Sequence, residues 1–333
     1  MAPHFTSEEI DEFIGRMQQQ RILVLGDIML DEFIWGQVNR ISPEAPVPVV
    51  HVNRESAYPG GAANVARNLA DFGITTKIGG MIGEDRFASR LMTLFTQSNI
   101  STEAVLSIPS FNTIIKTRII ARHQQVVRVD RETRRVIERE EIDLLLHRLK
   151  SLIVDTDAII IEDYGKGFIT QPLVDAVLSL ATQHKKVVTV DPNPQNPLDW
   201  SGATLVKPNR QEALTAAGVT FDEQEHNIHE IGEILLRKWQ INSLLVTLGE
   251  EGMILFEPSE PPYHTPTRAQ EVYDVSGAGD TVIAFYTAAL AAGLSGIVAA
   301  EIANHAAGVV VGKLGTATLV PQELIKSFQM NNP

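Results

Sequence analysis

The chain has no cysteine in its 333 residues. That excludes disulfides, thiolate metal sites and a cysteine nucleophile. It also lacks positive charge: the formal net charge of −13 argues against an extended nucleic-acid surface while leaving room for a local basic patch. Met1 to Phe13 carries Glu8, Glu9, Asp11 and Glu12 and no apolar run, so a secretory leader is not expected. The phosphate loop Gly-x-x-x-x-Gly-Lys-Ser/Thr is missing. Its nearest approach, Gly308 to Leu314, has the wrong spacing and reads as helix and turn. No Gly-x-Gly-x-x-Gly follows the first apolar strand, which weighs against a nicotinamide oxidoreductase. There is no His-Glu-x-x-His or comparable metal cluster, and the nine histidines are scattered. One stretch, Thr281 to Ala300, is uncharged over 20 residues and long enough to cross a bilayer. It is mostly Ala, carries Thr281, Thr287 and Ser295, and breaks at Gly293-Leu294-Ser295, so it reads as two buried helices. A cytoplasmic location is the expectation.

What is present reads as α/β. The hydrophobic content of 44% and charged content of 21% suit a protein that buries a sizeable core. Residues 8–19 predict a short amphipathic helix. Arg21 to Gly26 is a continuous apolar run of strand length, as for a strand buried on both faces. Similar runs recur at 74–79, 158–162, 187–190, 203–206 and 244–248, with helical patterns at 62–72, 85–98, 171–184, 209–217 and 229–240 between many of them. The alternation predicts βαβ units and a doubly wound, mostly parallel sheet with helices on both faces. Asp27, Asp163, Asp191, Asn209 and Thr247 fall at strand ends, where ligands of open α/β sheets bind. Residues 33–58 and 112–130 break the alternation and read as extended strands. They predict a small separate β-sheet, a lid.

Three motifs carry chemistry. Asp274 to Thr281 reads Asp-Val-Ser-Gly-Ala-Gly-Asp-Thr and feeds an Ala-rich helix. Gly277 and Gly279 permit a tight turn and close approach, and free N–H groups of a helix start suit phosphate oxygens. Asp280 in that place fits a base that takes a proton from an attacking hydroxyl; a glycine turn with Asp280 as N-cap is the plainer alternative. Pro59 to Gly73 opens a helix of small residues with Gly60 and Gly61, and Asn64 one turn in offers donor and acceptor to a sugar; tight packing on a strand would need the same residues. Asn209 and Glu212 are three apart and could hold magnesium through its waters, or form a capping box.

The order of these motifs is specific. Gly26-Asp27, Gly60-Gly61-Ala62-Ala63-Asn64, Ile78 to Asp85, Asn209-x-x-Glu212, Thr247-Leu248-Gly249 and Asp274 to Thr281 together resemble the ribokinase family of carbohydrate kinases over about residues 20 to 320. The resemblance implies a ribokinase-like fold over 1–333 with a β lid, and ATP and magnesium as cofactors, with a monovalent cation as a further candidate. It implies Asp280 as catalytic base and Gly277, Ala278 and Gly279 as the anion hole. Asn209, Glu212, Thr247, Gly249 and Asn304 fall on the nucleotide and magnesium side, and Asp27, Asp31, Gly60, Gly61 and Asn64 on the sugar side. Gly26 to Asp31, Arg40 to Val50 with its Ser-Pro-Glu-Ala-Pro run, and Glu162 to Gly167 resemble the branch acting on D-glycero-D-manno-heptose 7-phosphate. That branch phosphorylates the anomeric C1 hydroxyl on the way to ADP-heptose and the lipopolysaccharide inner core. The common two-function form carries a His-x-Gly-His nucleotidyltransferase motif that this chain lacks, so a kinase-only chain is expected. Asp191-Pro192-Asn193-Pro194 departs from the Asp-Pro-Lys-Gly of many relatives.

A sugar phosphate needs cations. Lys116, Arg118, Arg122 and Arg128 on the second lid segment, with Lys166, are the candidates for the 7-phosphate. Residues 116, 118 and 122 share a strand face by parity, and a turn near His123 is expected to break that parity for Arg128. Apolar lid residues Val47, Val49, Ile114 and Ile119 without a covering helix predict a homodimer through the lid. Other candidates are another sugar or sugar-phosphate kinase, such as one acting on a fructose phosphate, and an inactive sugar-binding protein on the same fold.

Overall fold

The computed structural model describes residues 3–122, 124–219, 228–313 and 315–331. His123 and Leu314, named above, lie outside them.

The apolar run Arg21–Gly26 is β1, a central strand of a nine-stranded sheet. Its neighbours are β4 (Thr75–Ile82) and β8 (Ala158–Glu162), both parallel to it. Beyond β4 lies β5 (Ser101–Ser107). Beyond β8 lie β9 (Val187–Asp191), β10 (Leu205–Val206), β11 (Ser243–Thr247) and then two antiparallel strands, β12 (Met253–Phe256) and β13 (Tyr263–Thr265). Chain order therefore runs outward from β1 in both directions, which opens a crevice at the carboxyl ends of the central strands.

Alternate residues of β1 feed two cores. Ile22 and Val24 pack in one with α1 (Ser7–Gln18), α2 (Ala62–Asp71), α3 (Arg86–Gln97), and α8 (Ala278–Ala291), α9 (Gly296–Val311) and α10 (Pro321–Asn331). Leu23 and Leu25 pack in the other with α4 (Arg139–Val154), α5 (Gln171–Gln183), α6 (Arg210–Ala217) and α7 (Ile228–Trp239). Burial on both faces is why these strands read as unbroken apolar runs. The uncharged 281–300 stretch is α8 and the start of α9, parted at Gly293 with φ 75° and restarted by Ser295, whose hydroxyl accepts from Val298 N–H. Among the described residues no helix is long and apolar enough to cross a membrane.

The second sheet has the order β3-β2-β6-β7, from β2 (Ile28–Ile41), β3 (Pro48–Gly61), β6 (Ile114–Ala121) and β7 (Gln124–Arg131). β2 runs antiparallel to β3 and parallel to β6. The strands reach further than 33–58. They start right after Asp27 and end at Gly61, against α2, so the base of the lid is itself part of the crevice wall. The expected break of parity at Arg128 does not occur. β6 and β7 pair Arg118 with Arg128 and Lys116 with Asp130, and paired residues share a face. Ile114, expected at an open lid surface, is buried in a core instead.

Helices α4 and α10 and strands β5, β12 and β13 have no counterpart in the sequence reading. In α4 a dense run of charge at 131–141 precedes a helical spacing of buried Ile142, Leu145, Leu149, Leu152 and Ile153. β13 is three residues long and lies at the sheet edge.

Gly26 closes β1 where the sheet meets α2. A Cβ there would lie 2.3 Å from Glu162 O and 2.8 Å from Ala62 Cβ. Replacing Gly26 by Ala is expected to overpack this junction and cost about 1–3 kcal/mol, read as a lower urea midpoint with the same slope. An unchanged midpoint would show that β1 and α2 separate freely.

Candidate active site

The site sits over one row of the sheet. Gly26 pairs with Glu162, and Glu162 with Asp191. Paired residues share a face, so the Glu162 and Asp191 side chains rise together toward the start of α8. Lys207, just past β10, joins them: its Nζ lies 2.7 Å from Asp191 Oδ2, and its side chain is 3% exposed.

Asp280 is in the first turn of α8, not at its N-cap. Gly277 is the N-cap, left-handed at φ 82°, and no side chain caps that end. A Cβ on Gly277 would stand 2.8 Å from Asn64 Nδ2, so glycine is needed both for the turn and for room. Asn64 Nδ2 donates to Asp280 Oδ2 at 2.7 Å, and the Tyr164 hydroxyl donates to Oδ1 at 2.8 Å. Asn68 and Thr281 strap α2 to α8 one turn deeper, through Thr281 Oγ1 to Asn68 Oδ1 at 3.2 Å. Of the expected anion hole, the Ala278 N–H is already bonded to Val275 O at 3.2 Å. The N–H groups of Gly277, Gly279 and Asp280 make no hydrogen bond to described residues, so they can serve an anion.

Burial dominates the electrostatics. It raises the Asp280 pKa against the hydrogen bonds of Asn64 and Tyr164 and the charge of Lys207, and the nearby Asp31 adds to the rise. Burial raises Glu162 well above the usual carboxylate range, with Asp191 and Asp280 adding to it, and Glu162 Oε1 has no partner. Asp191 is pushed up to about 7 by burial, in spite of Lys207. Lys207 itself is held in its charged form by these carboxylates, which outweigh its own burial. Three carboxyl groups thus share one lysine, and burial disfavours the charged form of each.

The sugar-side residues divide. Asp31 forms a buried ion pair with Arg118, 2.5 Å between Oδ1 and Nη1. A Cβ on Gly60 would lie 2.5 Å from Asp31 Oδ2, which explains that glycine; Gly61 is the left-handed cap of α2 at φ 59°. Asp27, placed by resemblance among sugar contacts, spends its carboxylate on the chain: Oδ2 accepts Tyr164 N–H at 3.0 Å and Lys166 N–H at 3.1 Å, and Oδ1 accepts Phe168 N–H at 3.3 Å.

On the nucleotide side, Asn209 and Glu212 form the capping box. Asn209 Oδ1 accepts Glu212 N–H at 2.9 Å, and Glu212 Oε2 accepts Asn209 N–H at 2.7 Å. Thr247 bridges Asn209, and Gly249 follows at φ 63°. Among the described residues no group of three or more His, Asp or Glu could hold a metal ion. Asn304, expected on the same side, lies on α9. It is 3% exposed and donates both amide hydrogens, to Thr265 Oγ1 at 2.9 Å and Pro266 O at 2.7 Å, as a buried amide must.

The basic residues also divide. Arg128 is paired with Asp130 and Lys166 with Glu132, at 2.9 and 2.8 Å. Arg122 lies at the far end of the lid, where it lines a cavity with Trp35 and Arg54. Lys116 has no bonded carboxylate among the described residues; burial first, then the charge of Lys166, depresses its pKa. Tyr164, Glu162 and Lys207 have no role in the sequence reading, and Asp191 enters it only as a strand-end group. Their signal was position: each sits at or just past the carboxyl end of a central strand.

An open α/β crevice with a buried carboxylate beside an uncapped helix start is the arrangement of a phosphotransferase. Residues 19–323 match the model of the pfkB family carbohydrate kinases. The chain is 40% identical over 323 residues to the bifunctional protein HldE of Pelobacter propionicus, covering 97% of this chain and 66% of that protein. It is 45% identical over 310 residues to HldE of Magnetococcus marinus, covering 92% and 63%. This chain thus spans a little under two thirds of the length of these curated relatives. Among solved structures, Arabidopsis thaliana ribokinase complexed with ribose and ATP superposes with a TM-score of 0.70 at 17% identity, covering 93% of this chain and 99% of that one. Escherichia coli phosphofructokinase-2 in complex with potassium gives 0.73 at 17%, covering 94% and 99%. The chain belongs to the pfkB family of ribokinase-type carbohydrate kinases.

Asp163 supplies a pH signature. Burial pushes its carboxyl up to about 6, against hydrogen bonds from Asn196 and the Gly165 N–H. A raised carboxyl favours the folded state while protonated. Its contribution is complete below the unfolded value near 4 and is lost as pH rises through about 6. Urea titrations of wild type and Asp163→Asn should diverge between pH 4 and 7 in favour of the variant, by at most about 3 kcal/mol. Parallel curves across that range would place the titration elsewhere.

Proposed function

We propose that this kinase transfers the γ-phosphoryl group of ATP to the anomeric C1 hydroxyl of D-glycero-D-manno-heptose 7-phosphate, giving the β-1,7-bisphosphate used for ADP-heptose and the lipopolysaccharide inner core. The observation that carries the reading is the placing of a buried base and unpaired cationic charge around one crevice. Asp280 lies within electrostatic reach of Asp31, and Asp31 pairs in register with Lys116 on the neighbouring lid strand. Lys116 and Lys166 repel one another, and a phosphate between them relieves that repulsion. The 40–45% identity to HldE proteins over most of this chain supports the same substrate class.

In this reading Asp280 takes the proton of the C1 hydroxyl as it attacks. Asn64 fixes the carboxylate, and the N–H groups of Gly277 and Gly279 receive developing negative charge on the transferred group. Asn209, Glu212, Thr247 and Gly249 hold the nucleotide phosphates. Magnesium, held through water by Asn209 and Glu212, would neutralise phosphate charge when bound. Asp31 and Gly60 face the sugar. Lys116 is the first candidate for the 7-phosphate, ahead of Arg118, Arg128 and Lys166, whose charges are already paired.

The lid also supports a homodimer. Val127 and Val129 on β7 are 45% and 40% exposed, and Ile41, Val47 and Val52 are more than two-fifths exposed. Every residue of edge strand β7 is exposed. Such an edge is a ready surface for a second copy, and light scattering at micromolar concentration should give twice the chain mass; a monomer would overturn this.

ADP release across heptose, hexose and pentose acceptors, each with and without a terminal phosphate, tests the substrate. Heptose 7-phosphate should be turned over fastest, and a higher rate on a fructose phosphate would reassign it. Asp280→Asn should keep nucleotide binding and lose turnover by about 100-fold or more, whereas turnover within a few-fold would remove it as base. Lys116→Ala should weaken the phosphorylated sugar, leave a non-hydrolysable ATP analogue unchanged by calorimetry, and narrow the preference over unphosphorylated heptose. Full discrimination in that variant would place the phosphate elsewhere.

A further inference from the structure

The loop after β8, residues 163–168, has an unusual backbone. Gly165 and Gly167 are left-handed, at φ 70° and 105°. With every second residue turned this way, the N–H groups of Tyr164, Lys166 and Phe168 converge on one point, a concavity of the kind that binds anions. The anion is internal: the Asp27 carboxylate accepts all three, at 3.0, 3.1 and 3.3 Å, and Asp27 is 3% exposed. Gly167 cannot be substituted cheaply either, because a Cβ there would lie 2.3 Å from Arg135 O. The loop is thus locked at its centre and held from outside.

The residue so fixed is Tyr164. Its hydroxyl donates to Asp280 Oδ1 at 2.8 Å, opposite the Asn64 amide on Oδ2 at 2.7 Å. From these distances we infer that Tyr164 is a positioning residue for the base and Asp27 its anchor, and that Asp27 is not a sugar ligand. The chain of contacts runs from the end of β1 through the loop to the first turn of α8, and it rests on the reading of Asp280 as base.

A hydroxyl donating to a carboxylate stabilises the ionised form. Only the ionised form can accept the proton of an attacking hydroxyl. The charged and titratable groups around Asp280 are Glu162 on β8, Asp191 on β9, Lys207 past β10 and Asp31 on β2, and the first two with Asp31 oppose its ionisation. Lys207, Asn64 and Tyr164 favour it. Burial and the carboxyl neighbours raise the pKa of the base, and the two direct donors, with Lys207, act in the opposite sense.

The test uses the best acceptor from the sugar panel, whichever it is. Tyr164→Phe keeps the half-buried ring and removes only the donor. Its kcat should fall by on the order of 10-fold with both KM values within about threefold, and the acid limb of its kcat–pH profile should move up by about one unit. On an Asp280→Asn background the same change should have no further effect. Asp27→Asn replaces an acceptor oxygen with a donor facing the loop N–H groups. Its kcat should fall while the sugar KM holds within about threefold, and hydrogen exchange in the 162–169 peptide should quicken at least 10-fold with α8 unchanged. A folded Tyr164→Phe with the wild-type acid limb overturns the inference while leaving Asp280 as base. A raised sugar KM in Asp27→Asn without faster exchange returns Asp27 to the sugar. Turnover by Asp280→Asn within a few-fold of wild type would remove the base, and the inference with it. Tyr164→Phe alone decides the matter if Asp27→Asn does not fold.

Discussion

A buried carboxylate is costly unless donors meet it, and the centre of this molecule is arranged around that constraint. Asp280 stands between α2 and α8, where every other residue of the α8 first turns is small or apolar. Asn64 and Tyr164 supply the donors, and each has its own support. Asn64 is carried by a helix that can approach α8 only because Gly277 has no side chain. Tyr164 is carried by a loop whose amides close on Asp27. The glycines at 61, 165, 167 and 277, all left-handed, are the joints that let three chain segments meet at one carboxylate.

The same constraint explains the acidic row beneath. A protein of net charge −13 that binds phosphorylated ligands must keep negative charge out of its crevice. Here Glu162, Asp191 and Asp280 share Lys207, and burial disfavours their charged forms. The lid contributes the opposite charge. Its inner face aligns Lys116, Arg118 and Arg128 because β6 and β7 pair in the register that brings 118 opposite 128. Ion pairing then leaves Lys116 as the unpaired member. An aromatic ladder stiffens the same face: Arg118 lies over Phe33, Phe33 stacks on Trp35, and Arg54 covers Trp35.

The legible and illegible parts of the site differ in kind. Asp280, Gly277 and Asn64 stood out because each sits in a local pattern, glycine followed by a helix start, that has few other uses. Tyr164 and Lys207 carried no such pattern. Their contacts are with residues 116 and 16 positions away, and only the adjacency of β8, β9 and β10 brings them under α8. Asn209 and Glu212 show the converse. Their spacing suggested two roles, and the capping box occupies the inner oxygens without excluding the other.

From the sequence alone came the parallel sheet, the lid, the break at Gly293 and the glycine loop, because each is set by periodicity or backbone chemistry within a dozen residues. The position of Asp27 at a strand end was equally plain, but its work was not. A carboxylate at a strand terminus can face a ligand or a neighbouring loop, and nothing within ten residues distinguishes the two. Parity along 112–130 gave the inner face of β6, yet the turn hid the face of Arg128, since cross-strand register depends on how β7 folds back. Which cations are paired, which carboxyls are buried together and which donors reach Asp280 were decided by tertiary structure, because charge and burial are properties of the neighbours that the fold brings together.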